Sequence, residues 1–333
     1  MGIKEVLKKA PGLQRAVWAY RRRPVHRDPI GSVHNSYQKA YHRPLHLDKP
    51  QYFTEKLQWL KLFAYPYNPL VVQAADKYTL KQYLREHDLA AYETPYIEVL
   101  TDVNQIDLSR YPQSFVMKKT NASGMNLIVK DKSKVSNKTL RRIASQWLKE
   151  DFGYNTAERH YSQAQDRIMI EPMFDLGDEY RCFMVAGKFA FVQVIVWDWT
   201  QTEQGNEVSD GVIQGHAKHY RVHIDADWQV TWKEPGTPKV EIAKPAHFDE
   251  MIRVAHQIGQ DFPIVRVDFQ MVDQQLKIGE LTLTPGSGFM LYFDVDVDVD
   301  VDVELGTWLP DYGGMSHESV LLGRLKPEDK IGV

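Results

Sequence analysis

Ile264-Val265-Arg266-Val267-Asp268-Phe269-Gln270 and Leu276-Lys277-Ile278-Gly279-Glu280-Leu281-Thr282-Leu283-Thr284-Pro285-Gly286 decide how this chain reads. Both stretches alternate apolar and polar residues, the period of a strand with one covered face. The break between them, Val272-Asp273-Gln274-Gln275, is short enough for a hairpin turn. Alternation puts Arg266, Asp268 and Gln270 on one face of the first strand, and Glu280, Thr282 and Thr284 on one face of the second. Paired as a hairpin, they set two carboxylates and a guanidinium on one sheet surface, backed by Val265, Val267 and Phe269. Carboxylate oxygens suit Mg²⁺, and a planar guanidinium suits phosphoryl oxygens.

Composition narrows the setting. With 333 residues, the chain is long enough for one large domain or two to three smaller ones. A net charge of −3 gives no global attraction to nucleic acid. The single cysteine, Cys182, excludes an internal disulfide and points to a reducing, cytoplasmic compartment. Cys182 falls in an apolar strand segment and reads as packing, not as a nucleophile. The apolar run from Phe189 to Trp197 is far shorter than the roughly 20 residues of a membrane helix. The N-terminus lacks the continuous apolar core of a signal peptide.

Charge is unevenly spread. Residues 1–27 carry Lys4, Lys8, Lys9, Arg15, Arg21, Arg22, Arg23 and Arg27 against one acid, Glu5. Leu7, Leu13, Val17, Trp18 and Tyr20 are interleaved. The pattern suits peripheral contact with an anionic membrane face. It also suits a solvated helical start broken at Pro11.

Helical spacing marks Tyr52–Ala64 through Phe53, Leu57, Leu60 and Phe63, with Pro66 and Pro69 closing it. A second helix is expected over Asp76–Glu86. Strands are expected at Tyr96–Val99, Ser114–Lys118, Leu127–Val129 and Arg167–Glu171, with a helix capped by Ser136 and ending near Glu150. Next come strands at Tyr180–Met184 and Phe189–Trp197, a loop over Glu203–Gly215, and strands at His219–His223 and Val230–Lys233. A helix is expected over Pro245–Ile258. His216, His219 and His223 either line an acceptor pocket or decorate an exposed strand. Asp294–Val303 repeats Asp-Val five times. As a strand it would stack five carboxylates on one face. The tract reads as a surface-loop expansion or as the Asp-x-Asp metal motif of a glycosyltransferase.

Phe115-Val116-Met117-Lys118-Lys119 is a strand with basic residues, followed by a small-residue loop, Asn121-Ala122-Ser123-Gly124-Met125. Backbone N–H groups of such a loop can cover phosphates. Ile168-Met169-Ile170-Glu171-Pro172 and Gly177-Asp178-Glu179-Tyr180-Arg181 put acids where the chain crosses between two blocks. On the residues alone, Lys118 and Lys119 are equal candidates for a phosphate contact.

The order of these segments resembles the ATP-grasp superfamily of carboxylate–amine ligases. It is closest to the TupA-like branch, named for teichuronopeptide synthesis. Glu55-Lys56-Leu57-Gln58-Trp59-Leu60-Lys61, Asp76-Lys77-Tyr78, the lysine strand with Ser123-Gly124, Arg266–Phe269 and Gly279–Gly288 carry the likeness, which spans about residues 30–312.

The resemblance implies an α/β (α+β) fold. In it, two α+β subdomains clamp ATP: a central one at 76–170 and a C-terminal one with the metal site at 171–320. A basic, mostly helical region at 1–75 precedes them, and a tail at 321–333 follows. It implies that Lys77 and Lys118 contact phosphates under a loop containing Ser123 and Gly124. Glu171 and Met173 lie by adenine, and Glu179 takes the ribose. Asp268, Glu280 and Thr282 hold Mg²⁺, expected as two ions, while Arg266 and Lys118 act on the phosphoryl group. Thr282 stands where many of these ligases have Asn. The implied activity is ATP-dependent ligation through an acyl phosphate. It joins an amine such as an amino acid to a sugar acid or carboxylate glycan in surface-polysaccharide or capsule assembly. A glycosyltransferase and a non-catalytic nucleotide-binding module are the other readings.

Overall fold

The structure is a computed structural model that describes residues 25–174, 176–197, 206–209, 212–214, 219–239, 241–290 and 299–313. Within them, twelve strands form two antiparallel sheets. β1 (Glu98–Leu100), β2 (Phe115–Lys119), β3 (Asn126–Val129) and β4 (Ile168–Pro172) lead the first sheet. β5 (Leu176–Val185) and β6 (Lys188–Trp197) begin the second. β7 (Asn206–Ser209) and β8 (Val212–Gln214) return to the first. β9 (His219–Ile224), β10 (Val230–Lys233), β11 (Ile264–Val272) and β12 (Gln275–Thr282) complete the second. The spatial orders are β1-β4-β2-β3-β8-β7 and β10-β9-β6-β5-β11-β12.

Alternation explains the burial. Along β2, Phe115, Met117 and Lys119 are buried, while Val116 and Lys118 are only partly covered. The segment Glu203–Gly215, expected to be a loop, carries β7 and β8. Ile213 pairs with Ile128 of β3, so a third hairpin strand covers an edge of the first sheet.

The helices are α1 (Pro29–Tyr41), α2 (Phe53–Trp59), α3 (Pro69–Ala75), α4 (Thr79–Glu86), α5 (Asn137–Leu148), α6 (His160–Gln163), α7 (Phe248–Gly259) and α8 (Val299–Trp308). A π-helical turn, Leu60–Ala64, continues α2. Pro69 does not only close a helix. It opens α3 at a position that needs no N–H, and the Asn68 side chain accepts from the N–H groups of Leu70 and Val71. Ser136 caps α5 as expected, accepting from Thr139 N–H at 3.2 Å. α7 begins at Phe248, three residues past Pro245.

Two cores result. One lies under the first sheet, with Leu140, Ile143, Ala144 and Trp147 of α5 against Phe115, Met117, Leu127 and Ile170. The larger core joins the second sheet to α7 and to residues of α1–α4 such as Tyr37, Leu57, Leu60 and Tyr83. No helix among the described residues is long and apolar enough to cross a membrane.

The Asp-Val tract is neither a strand nor a loop where it is described. Residues 299–303 open α8, and Asp302 is buried. Its carboxylate pairs with Arg43 and accepts from Thr54 N–H at 2.8 Å and Thr54 Oγ1 at 2.9 Å. Residues 294–298 lie outside the described residues, as do residues 1–24 of the basic N-terminal stretch, His216 and the 321–333 tail.

Candidate active site

The hairpin pairs as its alternation requires. Asp268 stands opposite Glu280, and Arg266 stands opposite Thr282. The register shifts by one residue between Asp268 and Phe269, which absorbs Gly279 as a bulge. Arg266 joins all four positions. Its Nε donates to Asp268 Oδ1 at 2.6 Å, and its Nη2 to Asp268 Oδ2 at 2.6 Å, Thr282 Oγ1 at 2.9 Å and Glu280 Oε1 at 3.3 Å. On the other side of β11, Arg181 of β5 lies opposite Asp268, with Nε 3.9 Å from Oδ2. Arg181 also holds Glu179 at 2.7 Å. Arg181 has a place here that sequence reasoning did not give it. Its signal was present: Glu179 and Arg181 alternate with Tyr180 and so share a face.

The first sheet contributes lysines. Lys118 Nζ is 2.5 Å from Glu171 Oε2, across the β2–β4 ladder. Lys119, next along the strand, points the other way. It is 1% exposed, donates to the carbonyls of Trp147 (2.9 Å) and Glu150, and pairs with Asp166 at 2.7 Å. It closes the C-terminal end of α5. Strand parity therefore separates the two candidates, leaving Lys118 on the face shared with Glu171. Lys77, just before α4, links the loop after β2 to the β11–β12 hairpin. Its Nζ is 3.4 Å from Glu280 Oε2 and donates to Ala122 O at 2.8 Å. Ser123 and Gly124 beyond it are exposed, and Gly124 adopts φ 71°, where a side chain would be strained. Met173 is exposed after β4.

Electrostatics divide the two carboxylates. Burial pushes Asp268 up to about 7, against the pull of Arg266. Burial also acts to raise Glu280, but Lys77, with Arg266 and Arg181, outweighs it and holds that carboxyl well below the usual range. Every carboxylate oxygen in the pair faces a cation. Among the described residues no group of three or more His, Cys, Asp or Glu is placed to hold a metal by itself. The donor set nevertheless fits Mg²⁺ that arrives with a nucleotide: two carboxylates and a hydroxyl on one ladder, with phosphate oxygens and water to complete six positions.

The Glu55–Lys61 stretch does not line this pair of carboxylates. It holds backbone. Glu55 accepts from the N–H groups of His46, Gln51 and Tyr52. Lys56 donates to the carbonyls of Gly306 and Leu309, Gln58 to Gly288 at 2.7 Å, and Lys61 to Ser287 at 2.9 Å. The Gln58 and Lys61 bonds fix Pro285–Gly288, which leaves β12 with Gly286 and Ser287 both at φ 57°. Elsewhere, Cys182 is fully buried, and burial drives its thiol far above the usual range. His223 is neither exposed nor in an open pocket. It stacks with Phe191 at 4.3 Å and packs at a tilt against Trp232 at 4.6 Å, and burial, with Arg221, lowers it to about 3.

The family model described as TupA-like ATPgrasp matches residues 55–206 and 209–308. Among solved structures, the D-alanine–D-alanine ligase of Helicobacter pylori is 16% identical, with 77% of this chain and 69% of that one covered and a TM-score of 0.41. The same ligase from Bacillus anthracis is 18% identical over 71% and 68%, with a TM-score of 0.37. An L-amino acid ligase from Bacillus licheniformis is 13% identical over 72% and 50%, with a TM-score of 0.42. No curated protein matches. The family match takes in the Lys118 strand, the Glu171 strand and the Arg266–Glu280 hairpin, and on it the chain belongs to the TupA-like ATP-grasp family.

Proposed function

We propose that this protein is an ATP-dependent carboxylate–amine ligase that works through an acyl phosphate and forms an amide. The observation that carries the reading is the convergence of Lys77, Arg266, Asp268, Glu280 and Thr282 at one hairpin, with the Lys118–Glu171 pair on the first sheet. In this reading Lys77 and Lys118 hold ATP phosphates, and the Ser123-Gly124 loop closes over them. Glu171 and Met173 border the adenine, and Glu179 takes the ribose. Asp268, Glu280 and Thr282 hold Mg²⁺, as two ions.

A free carboxylate resists an amine because its oxygen is a poor leaving group. Phosphorylation turns that oxygen into phosphate. Bound Mg²⁺ would neutralise charge on the transferring phosphoryl group. Arg266 now spends its guanidinium on Asp268. Asp268 and Glu280 would hold the metal, which would supply charge neutralisation there, and Arg266 would then be free to bind phosphoryl oxygens. Lys118 is likewise spent on Glu171 and turns to phosphate when nucleotide enters. The Ser123-Gly124 loop excludes water from the reactive acyl phosphate.

For the partners, we infer an amino acid as amine and a sugar acid or carboxylate glycan as acid, in assembly of a surface polysaccharide. The setting is the cytoplasmic face of an anionic membrane, reached through basic residues 1–27. The resemblance to the TupA-like branch and the charge of that segment support this. The test incubates purified protein with Mg-ATP, a panel of uronic acids and a panel of amino acids. ADP and phosphate should appear together only when an acid and an amine are both present. Release without either, or no release across the panels, removes the ligase assignment.

A further inference from the structure

Arg181 keeps unused donors beside the metal carboxylates. It stands on β5 directly opposite Asp268, with Nε 3.9 Å from Asp268 Oδ2. The same Nε donates to Glu179 Oε1 at 2.7 Å, so Glu179 anchors the stem side of the guanidinium. Among the described residues, neither Nη1 nor Nη2 of Arg181 donates a hydrogen bond. Neither is a buried orphan, and the side chain keeps 19% of its surface exposed. A guanidinium presents its N–H groups in a planar fork that matches an oxyanion. Here the outer prongs of that fork reach solvent.

The neighbours leave those prongs to a ligand. Across the sheet from Arg181 stand Gln193 of β6 and then His223 of β9. Gln193 is neutral, and burial keeps His223 unprotonated at neutral pH. Gln193 Nε2 and His223 Nε2 are paired with each other at 3.1 Å. That row therefore offers the Nη groups no anion. Lys77 lies on the opposite flank. It reaches Glu280 at 3.4 Å on β12, the end strand of the sheet, and is tied to the Ala122 carbonyl in the loop assigned to phosphates. The metal carboxylates thus have Lys77 on the β12 flank and Arg181 on the β5 flank. Phosphoryl transfer keeps the attacking and leaving oxygens in line, on opposite sides of the phosphorus. With the triphosphate on the Lys77 flank, the attacking oxygen belongs on the Arg181 flank.

We infer that Arg181 binds the carboxylate of the acid substrate through its Nη groups and presents it for phosphorylation. This deepens the ligase reading above and rests on it. A carboxylate oxygen bonds to the γ-phosphorus, the bond from that phosphorus to the β–γ bridging oxygen breaks, and ADP leaves with the electron pair. No proton moves. The guanidinium offsets the repulsion between the incoming carboxylate and the triphosphate, and its fork fixes which way the oxygens point.

Glucuronate and its uncharged amide are the discriminating probes. Their binding to the full-length protein, loaded with Mg²⁺ and a non-hydrolysable ATP analogue, is measured by calorimetry, and ADP release with the uronic-acid panel gives the KM for acid and for Mg-ATP. The native protein should prefer the acid to the amide by about tenfold or more. Arg181→Met should abolish that preference and raise the acid KM about tenfold or more, with the Mg-ATP KM unmoved. Arg181→Lys keeps the charge and loses the fork; it should fall between the two and serves if the Met variant does not fold. An acid KM unmoved in the variants, while the native protein turns over, overturns the subsite and leaves the ligase reading standing. A rise confined to the Mg-ATP KM also overturns it and gives Arg181 to the γ-phosphate. If no acid of the panel supports ADP release by the native protein, the ligase reading fails and the subsite goes with it.

Discussion

Asp268 and Glu280 face each other across the β11–β12 ladder, and one guanidinium, that of Arg266, reaches both. Without a bound ion, the positive charge between these carboxylates is supplied by the protein. A divalent cation would replace that charge, not add to a vacant one, and would free Arg266 for phosphate. Asp268→Asn should therefore cut Mg-ATP turnover by roughly a hundredfold or more and weaken its Mg²⁺ dependence, while the protein stays folded. Titrating ADP release with Mg²⁺ checks this.

The two adjacent lysines should separate cleanly. Lys118→Met removes the partner of the buried Glu171 carboxylate and should weaken nucleotide binding about tenfold or more. Lys119→Met strips the carbonyls of Trp147 and Glu150 of their donor. It should cost about 2 kcal/mol in stability while nucleotide affinity holds. Calorimetric binding and denaturant midpoints on the two variants distinguish them.

Lys61 gives a pH signature. Burial lowers it to about 7, with Glu158 pulling it back up. Unfolded, the amine keeps its proton to about 10.4. Between those values the unfolded chain binds the extra proton, so the penalty of burying Lys61 fades as pH rises. Below about 7 both states are protonated and the penalty is complete. Native stability minus that of Lys61→Met should therefore rise from pH 7 to pH 10 and be flat from pH 5.5 to 6.5. Urea midpoints across that range measure it; a slope of opposite sign contradicts the assignment.

Asp302 has a structural task. Its carboxylate ties α8 to Arg43 and to the start of α2 through Thr54. Asp302→Ala leaves Arg43 without its buried partner and should cost about 3–5 kcal/mol. Denaturant unfolding reads this directly. A variant as stable as the native protein would leave the carboxylate free for other work.

Local pattern carried the hairpin. A period-two alternation broken by a four-residue turn needs no tertiary information to place Arg266, Asp268, Glu280 and Thr282 on one surface. Lys118 against Lys119 was not decidable, because parity fixes that neighbours diverge but not which of them is buried. Only α5 packing on one face of the first sheet decides it. β7 and β8 were hidden in a polar segment because their strand character comes from pairing with β3. The Asp-Val tract alternates like a strand, yet residues 299–303 are helical. The bond that fixes them comes from Arg43 and Thr54, more than two hundred residues away.

A crystal structure with Mg²⁺ and a non-hydrolysable ATP analogue tests the central claim most directly. The account predicts the triphosphate between the two sheets, with metal on Asp268 and Glu280, Lys118 turned from Glu171 to phosphate, and Arg266 released from Asp268. A nucleotide bound away from the β11–β12 hairpin, or an Arg266–Asp268 pair unchanged beneath bound metal and phosphate, would contradict it.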